Sequence, residues 1–342
     1  MLAKVVALFH GIDRLVFRGV VYLWLGVPFF FVISGYCIAA TCDAMRRRKH
    51  SVREYLWRRY RRIFPPFWIF IGTSALLIWF SAFSSRFVFF SDEVHPISQP
   101  ASLSAWQWIG NLTLTESWRY LLAGGPQLYF MGHAWSLCYE EQFYLVCGLL
   151  LFLTPLKFFR SSLWVTIGVL VVAVPTLFLN LPVYGFFFDG RWLMFALGLL
   201  VYWLLNYASG TLVDRTRRVM IGIAMLLTAG LVVRPVRLFL TNGYAVEIFA
   251  ALIFSVVLLY LRRFDTQIIR SRLLGPITWC GTMCYSLYLS HWPIVKALSN
   301  WLWHHGLNSA RSTLFVTVPA LPHQFDRRRP SVLSPGGTAL SE

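Results

Sequence analysis

One candidate for acid–base chemistry lies near the start of the chain, where His10 ends the run Ala-Leu-Phe-His. A neutral imidazole at the end of an apolar segment is tolerated there and can accept a proton from a hydroxyl group. The alternative interpretation is an interfacial histidine that only ends a helix. Position alone therefore leaves His10 open as either a general base or a structural residue.

A second motif brings several polar side chains into one apolar segment. Glu140 and Glu141 lie close to the start of a span that continues as Val-Cys-Gly-Leu-Leu-Leu-Phe. Helical spacing places Ser136, Glu140 and Tyr144 on one face, and His133 joins them if the helix begins early enough. Adjacent carboxylates cannot point the same way, so one is expected to face the bundle. The alternative is a helix start whose acidic residues are favoured by the helix dipole.

A basic segment over residues 53–66 alternates arginine with aromatic and aliphatic side chains. This pattern is typical of an amphipathic helix at a membrane interface. Arginine is also the preferred bidentate partner of phosphate, which makes Arg58, Arg59 and Arg62 candidates for binding a phosphorylated ligand. The competing interpretation is electrostatic anchoring to anionic lipid.

The fourth motif, residues 285–293, places His291 inside an apolar span just before Pro293. Proline leaves backbone carbonyls without their usual helical donor. We expect His291 to hydrogen-bond such carbonyls, with a functional role as the alternative. We find no Cys pair or His cluster with metal spacing, no glycine-rich phosphate loop and no G-x-S-x-G nucleophile motif, so no metal or permanent cofactor is predicted.

The elements that must position these residues are membrane spans. Of the 342 residues, 57% are hydrophobic and 13% charged, yet the formal net charge is +17. So apolar a chain excludes disorder and a soluble nucleic-acid binder. It predicts an all-α polytopic membrane protein whose charges lie in loops. Among its six cysteines, Cys37 and Cys42 are interpreted as free thiols.

Apolar stretches of about 20 residues predict ten spans, some of them weak. They lie at about 1–10, 20–41, 64–83, 129–154, 162–180, 184–206, 219–233, 244–261, 277–301 and 311–322. The largest connection on the outer side, 84–128, could close over an external substrate or be an interfacial connector, and Trp106, Trp108 and Trp118 suit the interface. The tail 323–342 is rich in Pro, Gly and Arg and is predicted to be disordered.

Lysine and arginine counts predict the orientation of these spans. Of 31 such residues, 21 fall in alternate connections on one side and eight on the other, and nine of the 21 lie between residues 43 and 63. Positively charged connections stay in the cytoplasm. The split therefore predicts an even number of spans with both termini cytoplasmic.

Taken together, the motifs resemble the acyltransferase 3 family of bacterial inner-membrane enzymes. The resemblance covers residues 8 to about 300 in the family's order. The matching elements are Leu8-Phe9-His10, the segment from Gly26 to Ile38, Arg58-Arg-Tyr-Arg-Arg-Ile-Phe-Pro, Trp135-Ser-Leu-Cys-Tyr-Glu-Glu-Gln-Phe-Tyr-Leu, and Tyr285 to Pro293.

The resemblance implies transfer of an acyl group, usually acetyl, from acyl-CoA to a hydroxyl of a cell-surface carbohydrate, by a multi-pass protein of the inner membrane. His10 matches the family's catalytic histidine and Glu140 the more constant of its two glutamates. Arg58, Arg59 and Arg62 match its arginine motif, a plausible contact for CoA phosphates. His133, Ser136, Glu141 and His291 remain candidates for substrate binding or structure. The implied partners are lipid, acyl-CoA and a carbohydrate acceptor, without nucleic acid.

Two departures from the family pattern keep alternatives open. The basic residue that the family carries about eleven positions before the histidine would precede Met1, so the acyltransferase domain over 1–322 is expected to have a shortened first helix. The match also fades after about 303. One alternative is a proton-coupled transporter or flippase, because histidine and glutamate within spans suit proton movement. The other is an inactive, truncated homologue.

Overall fold

The computed structural model describes residues 22–82, 98–179, 190–230, 243–271 and 283–305, with a few single positions between these ranges. The predicted spans 1–10 and 311–322 and the tail 323–342 lie outside the described residues, and so does His10. Within the described ranges the chain is helical and contains no strand.

The helices follow the predicted apolar stretches, with shifted ends. They are α1 (Gly26–Arg47), α2 (Val52–Ala82), α3 (Ala105–Leu112), α4 (Glu116–Ala123), α5 (Trp135–Leu153), α6 (Phe158–Phe178), α7 (Arg191–Tyr207), α8 (Gly210–Gly230), α9 (Gly243–Leu261), α10 (Asp265–Arg270) and α11 (Cys284–His304). Short 3-10 turns precede α1 at Tyr22–Leu25 and α5 at Gly132–Ala134.

Five of the helical segments are long and apolar enough to cross a membrane. They are Gly26–Arg47, Val52–Ser81, Gly132–Leu153, Pro155–Thr176 and Ala245–Gln267, and Arg191–Tyr207 is a shorter apolar helix. Their outward surfaces expose large apolar side chains such as Ile69 and Phe152, as expected for contact with lipid. The all-α membrane architecture is therefore confirmed, while the number of ten spans stays a prediction.

Helix α2 joins two elements that the sequence predicts separately. The basic segment and the following span form one 31-residue helix that runs through Pro65 and Pro66. Two prolines inside a helix remove two backbone donors. Close to this point the Tyr285 hydroxyl donates to the Ile63 carbonyl at 2.8 Å. The arginines of α2 are consequently carried up alongside the other spans instead of lying flat at an interface.

The closest helix pair is α1 with α7, and glycine makes it possible. A Cβ atom on Gly35 would lie 2.2 Å from the Phe195 carbonyl oxygen, and one on Gly198 would lie 2.1 Å from the Val32 carbonyl oxygen. Small residues let helix backbones approach closely within a membrane. Aromatic packing completes the centre, because the Phe195 ring lies 4.5 Å from that of Phe31 and 4.4 Å from that of Phe143.

Contacts along the helices establish their relative directions. Phe31 and then Ser34 of α1 meet Trp135 and then Glu140 of α5, so these two helices run the same way. Phe31 and then Asp43 meet Phe195 and then Tyr202 of α7, which therefore also runs in this direction. Helix α2 runs against them, since Tyr55 near its start contacts the Tyr144 carbonyl. The end of the bundle where α1 finishes in Arg46 and Arg47 is called the basic end below.

The described part of the predicted connection 84–128 contains two short helices. Residues 105–123 form the short helices α3 and α4, and the structure does not describe 83–97. Ser104 and Gln107 form a capping box that starts α3, each side chain bonding the other's backbone N–H. Leu114, with φ of 56°, turns the chain into α4. Whether this connection closes over a substrate or serves as an interfacial connector stays a prediction.

Candidate active site

Glu140 lies at the centre of the bundle and is held by two hydroxyl groups. Its side chain is buried, and the Ser34 Oγ donates to its Oε1 at 3.0 Å. The Tyr144 hydroxyl, one helical turn further along α5, donates to the same oxygen. The predicted shared face of Glu140 and Tyr144 is therefore confirmed. Both of these hydrogen bonds go to Oε1, and among the described residues none is found to Oε2.

Two of the three predicted arginines approach this carboxylate. Arg59 is half-buried, donates from Nη2 to the Thr41 Oγ1 at 2.8 Å, and lies 5.4 Å from the Tyr144 ring centre. Arg59 and Arg62 both act electrostatically on Glu140. This part of α2 thus supplies two positive charges beside a buried acidic group.

Arg58 does not belong to the same group. It points to the surface, where it forms an ion pair with Glu54 on its own helix, and its side chain is 59% exposed. Successive residues on a helix face different directions, which explains why Arg58 and Arg59 diverge. The sequence motif treats the three arginines as equivalent, and the structure separates them.

Cys37 lies on the open side of the site. It is an exposed free thiol one turn after Ser34. The charges of Arg59, Arg62 and Glu140 act on it electrostatically. The interpretation of Cys37 and Cys42 as free thiols is confirmed.

Glu141 faces another direction, as expected for a neighbour of Glu140. It is half-buried, and its buried Oε2 has no hydrogen-bond partner among the described residues. Glu140 and Arg59 both act on it electrostatically. Glu141 therefore adds a second acidic group next to the first, but one without a fixed donor.

The remaining predicted residues form a separate cluster nearer the end opposite the basic end. The Ser136 Oγ lies 2.8 Å from the Tyr288 hydroxyl, which donates to the His133 carbonyl at 2.5 Å. His133 is fully buried, with its ring 5.0 Å from that of His291. His291 Nδ1 lies 2.5 Å from the Tyr288 carbonyl, which fits the predicted contact with backbone near Pro293.

A cavity of about 250 Å³ opens at the basic end between α1 and α7. Its lining includes Arg47, Arg48 and Asn206, together with the small residues Ala40 and Ala44. Asp43, on its wall, bonds Arg46 at 2.6 Å, Arg47 at 2.9 Å, Tyr202 at 3.0 Å and Tyr207 at 2.5 Å. These contacts fix the arginines and neutralise the buried carboxylate, so the net charge facing the cavity is positive.

Sequence reasoning missed the residues that hold the predicted ones in place. Ser34 and Thr41 give no signal alone, because hydroxyl residues within spans usually bond their own helix. Tyr288 was overlooked because the motif that contains it, residues 285–293, was interpreted only through His291. The small residues of α1 were visible in sequence, but their meaning depends on which helix lies opposite.

Comparisons with known proteins identify a family and two relatives. Residues 8–322 match the acyltransferase domain family called acyltransferase 3. The peptidoglycan O-acetyltransferase OatA of Listeria monocytogenes is 24% identical over 295 residues, which cover 80% of this chain and 45% of that protein. An uncharacterized protein of Haemophilus influenzae is 31% identical over 133 residues, covering 38% of this chain and 49% of that protein.

The chain thus spans less than half the length of these curated relatives. No solved structure matches the chain. The family match covers most of the chain, including α1, α2, α5 and α11, which carry the clustered polar residues. The chain therefore belongs to the acyltransferase 3 family.

Proposed function

We propose that this membrane protein transfers an acyl group, acetyl in the first instance, from acyl-CoA to a hydroxyl of a carbohydrate outside the cytoplasm. The observation that carries the proposal is the buried Glu140, on which the half-buried Arg59 and the exposed Arg62 of α2 act electrostatically. A buried acid beside cations suits transfer chemistry better than lipid anchoring. The acetyltransferase name of the Listeria relative supports the acyl group and the carbohydrate acceptor.

The donor enters from the basic end, which faces the cytoplasm. Arg47 and Arg48 at the cavity provide charge for phosphates, since guanidinium groups bind phosphate oxygens in pairs. From Arg47 to Cys37 the helix rises about 15 Å. The pantetheine arm of CoA has about as many bonds as four residues of backbone, ~14 Å when extended. Phosphates at the cavity would therefore place the thioester near Cys37 and Glu140.

The reaction needs a base for the acceptor hydroxyl and positive groups for the developing oxyanion. His10 takes the proton as the acceptor oxygen attacks the thioester carbonyl, in line with the family resemblance. Glu140 accepts a hydrogen bond on Oε2 from the acceptor or from the histidine. Arg59 and Arg62 stabilise the negative charge on the carbonyl oxygen. The acyl–oxygen bond forms, the acyl–sulfur bond breaks, and the CoA thiolate takes up a proton.

A transfer assay tests the proposal directly. Membranes containing the protein are incubated with radiolabelled acetyl-CoA and surface glycan, and label in the glycan is counted. We expect His10→Ala to lose at least 100-fold of the transfer, the usual contribution of a general base. His50→Ala, a histidine in the connection between α1 and α2, is the matched control and keeps its activity.

Two outcomes would reject the proposal. Full transfer by His10→Ala, at equal protein level in the membrane, would remove the histidine from the mechanism. Absence of any acylated product with the unaltered protein, together with movement of a solute across the membrane, would identify a transporter.

A further inference from the structure

Helices α3 and α4 are polar inside and apolar outside, the reverse of helices on a soluble domain. Their buried residues are Gln107, Asn111, Glu116, Ser117 and Arg119. Their exposed residues are Trp106, Ile109, Leu112, Trp118, Leu121 and Leu122. A helix in water buries its apolar stripe and exposes its polar one. This inverted pattern indicates that the surroundings of the pair are apolar.

The polar interior of the pair is internally satisfied. Arg119 binds both oxygens of Glu116, at 2.7 and 3.0 Å, and donates to the carbonyls of Gly124 and Pro126 at 2.7 Å each. Glu116 also accepts from the Leu128 amide at 2.8 Å. A buried ion pair with this many hydrogen bonds needs no water around it.

The exposed hydroxyl groups at the turn between α3 and α4 also find hydrogen-bond partners within the protein. Thr113 Oγ1 lies 2.7 Å from the Ile109 carbonyl oxygen and 2.7 Å from the Thr115 Oγ1. Irregular backbone is tolerated at membrane depth only where its polar groups find partners within the protein. The turn meets that condition for these two hydroxyl groups without solvent.

The turn between α3 and α4 also lies beside the inner part of the neighbouring spans and not at their ends. Gln142 Nε2 donates to the Ser117 Oγ at 2.7 Å. Gln142 comes ten residues after Gly132, where the span containing α5 begins, so it lies about 15 Å along that helix. On the other side, the indole N–H of Trp68, in the apolar part of α2, donates to the Leu112 carbonyl at 2.8 Å.

We propose that α3 and α4 form a re-entrant hairpin that dips into the bilayer from the end opposite the basic end. Its exposed apolar face contacts lipid acyl chains in that leaflet. The occupant is lipid because the face carries no charged side chain and continues the exposed apolar surface of α2 at Trp68 and Ile69. The inference concerns membrane insertion and holds whether or not the chain is a transferase.

Nitroxide labels measure the depth of this hairpin. Single cysteines replace Leu112 and Leu121 in the full-length chain, whose six native cysteines are first substituted, and the protein is reconstituted in bilayers. Ile69→Cys is the lipid-facing control and His50→Cys the water-facing control. We expect both hairpin labels to collide more often with oxygen than with a water-soluble nickel chelate, as at Ile69. Nickel accessibility equal to that at His50 would overturn the proposal.

A second measurement uses the unaltered chain, so it does not depend on the folding of a variant. A phospholipid with a photoactivatable diazirine near the middle of its acyl chain is incorporated in the bilayer and irradiated. We expect lipid adducts on peptides containing residues 105–123, at a yield similar to peptides from the apolar part of α2. Adducts on α2 without any on the hairpin would contradict lipid contact.

Discussion

Among single residues, the buried Glu140 is held by hydrogen bonds from two hydroxyl groups. Ser34 and Tyr144 both donate to Oε1, which fixes the orientation of the carboxylate. A hydrogen bond to a charged group contributes about 1.5–3 kcal/mol. We expect Tyr144→Phe to reduce kcat for acetyl transfer by roughly 10- to 100-fold, with KM for acetyl-CoA little changed.

Tyr60→Phe is the matched control for that variant. Tyr60 lies on α2 in an aromatic row with Trp57 and Phe64, away from Glu140. The same change there should leave kcat unaltered. Equal losses for the two variants, or a Tyr144→Phe enzyme with full kcat, would show that Tyr144 does not position the acid.

The arginines give a second prediction at this scale. Arg59→Gln should raise KM for acetyl-CoA or lower kcat by about tenfold or more, because Arg59 lies beside the buried site. Arg58→Gln should change either value less than about threefold, since an exposed ion pair contributes little. Steady-state kinetics in membranes decide this. Equal effects of the two changes would indicate that Arg58 and Arg59 have the same function.

The chemistry predicted for these residues stays a prediction, and their contacts could be predicted only where they are local. Helical spacing placed Tyr144 on the face of Glu140, and the structure agrees. The partnership of Ser34 with Glu140 joins residues 106 positions apart. Such long-range pairs depend on helix packing that no local pattern encodes. His10 lies outside the described residues, so its role stays a prediction.

At the scale of elements, the approach of α1 to α7 is the most restrictive packing. Gly35→Ala would bring a methyl group 2.2 Å from a backbone oxygen, which cannot move without shifting a helix. We expect a loss of thermal stability in detergent, seen as a lower Tm. Gly72→Ala on α2 is the control, because nothing lies within 4 Å of its added methyl group.

The two alanine substitutions should differ in their effect on Tm. In a helix, alanine is about 0.8–1 kcal/mol more favourable than glycine, so the control should keep or raise its Tm. A Gly35→Ala protein as stable as the unaltered chain would mean that α1 and α7 are not packed as closely as described.

The buried ion pair of the hairpin is a second test at this scale. Glu116→Gln leaves the Arg119 charge buried without its partner, and breaking such a pair costs about 3–5 kcal/mol. Glu116→Leu combined with Arg119→Met removes both charges and should recover much of that loss. Thermal unfolding of the two proteins measures the difference. A single variant as stable as the double one would show that the pair is not buried.

Apolar length and charge were enough to predict the long helices but not the short ones. The span predicted at 129–154 corresponds closely to Gly132–Leu153. Helices α3 and α4 have only eight residues each, too few for a window of 20 to detect. Helix α2 was predicted as two elements because its first part is basic and its second part apolar, and the structure joins them in one helix through Pro65 and Pro66.

At the scale of the whole molecule, the polar groups follow one another along the bundle. The cavity with Arg47 and Arg48 lies at the basic end, and Glu140 with Arg59 lies further in. The cluster of His133 and Tyr288 comes beyond them. The proposed transfer requires such an order, with the donor at the basic end and the acceptor at the opposite end.

The central claim is that Glu140 belongs to a site that acylates carbohydrate. The most direct test is the mass of surface glycans from cells that express the unaltered chain, Glu140→Gln or Glu141→Gln as their only copy. We predict one acetyl increment per modified hydroxyl with the unaltered chain and its loss with Glu140→Gln at equal protein level. Glu141 receives neither of the hydrogen bonds from Ser34 and Tyr144 that hold Glu140, so Glu141→Gln should retain part of the modification. Glycans that carry the full modification with Glu140→Gln, or none with the unaltered chain, would contradict the account.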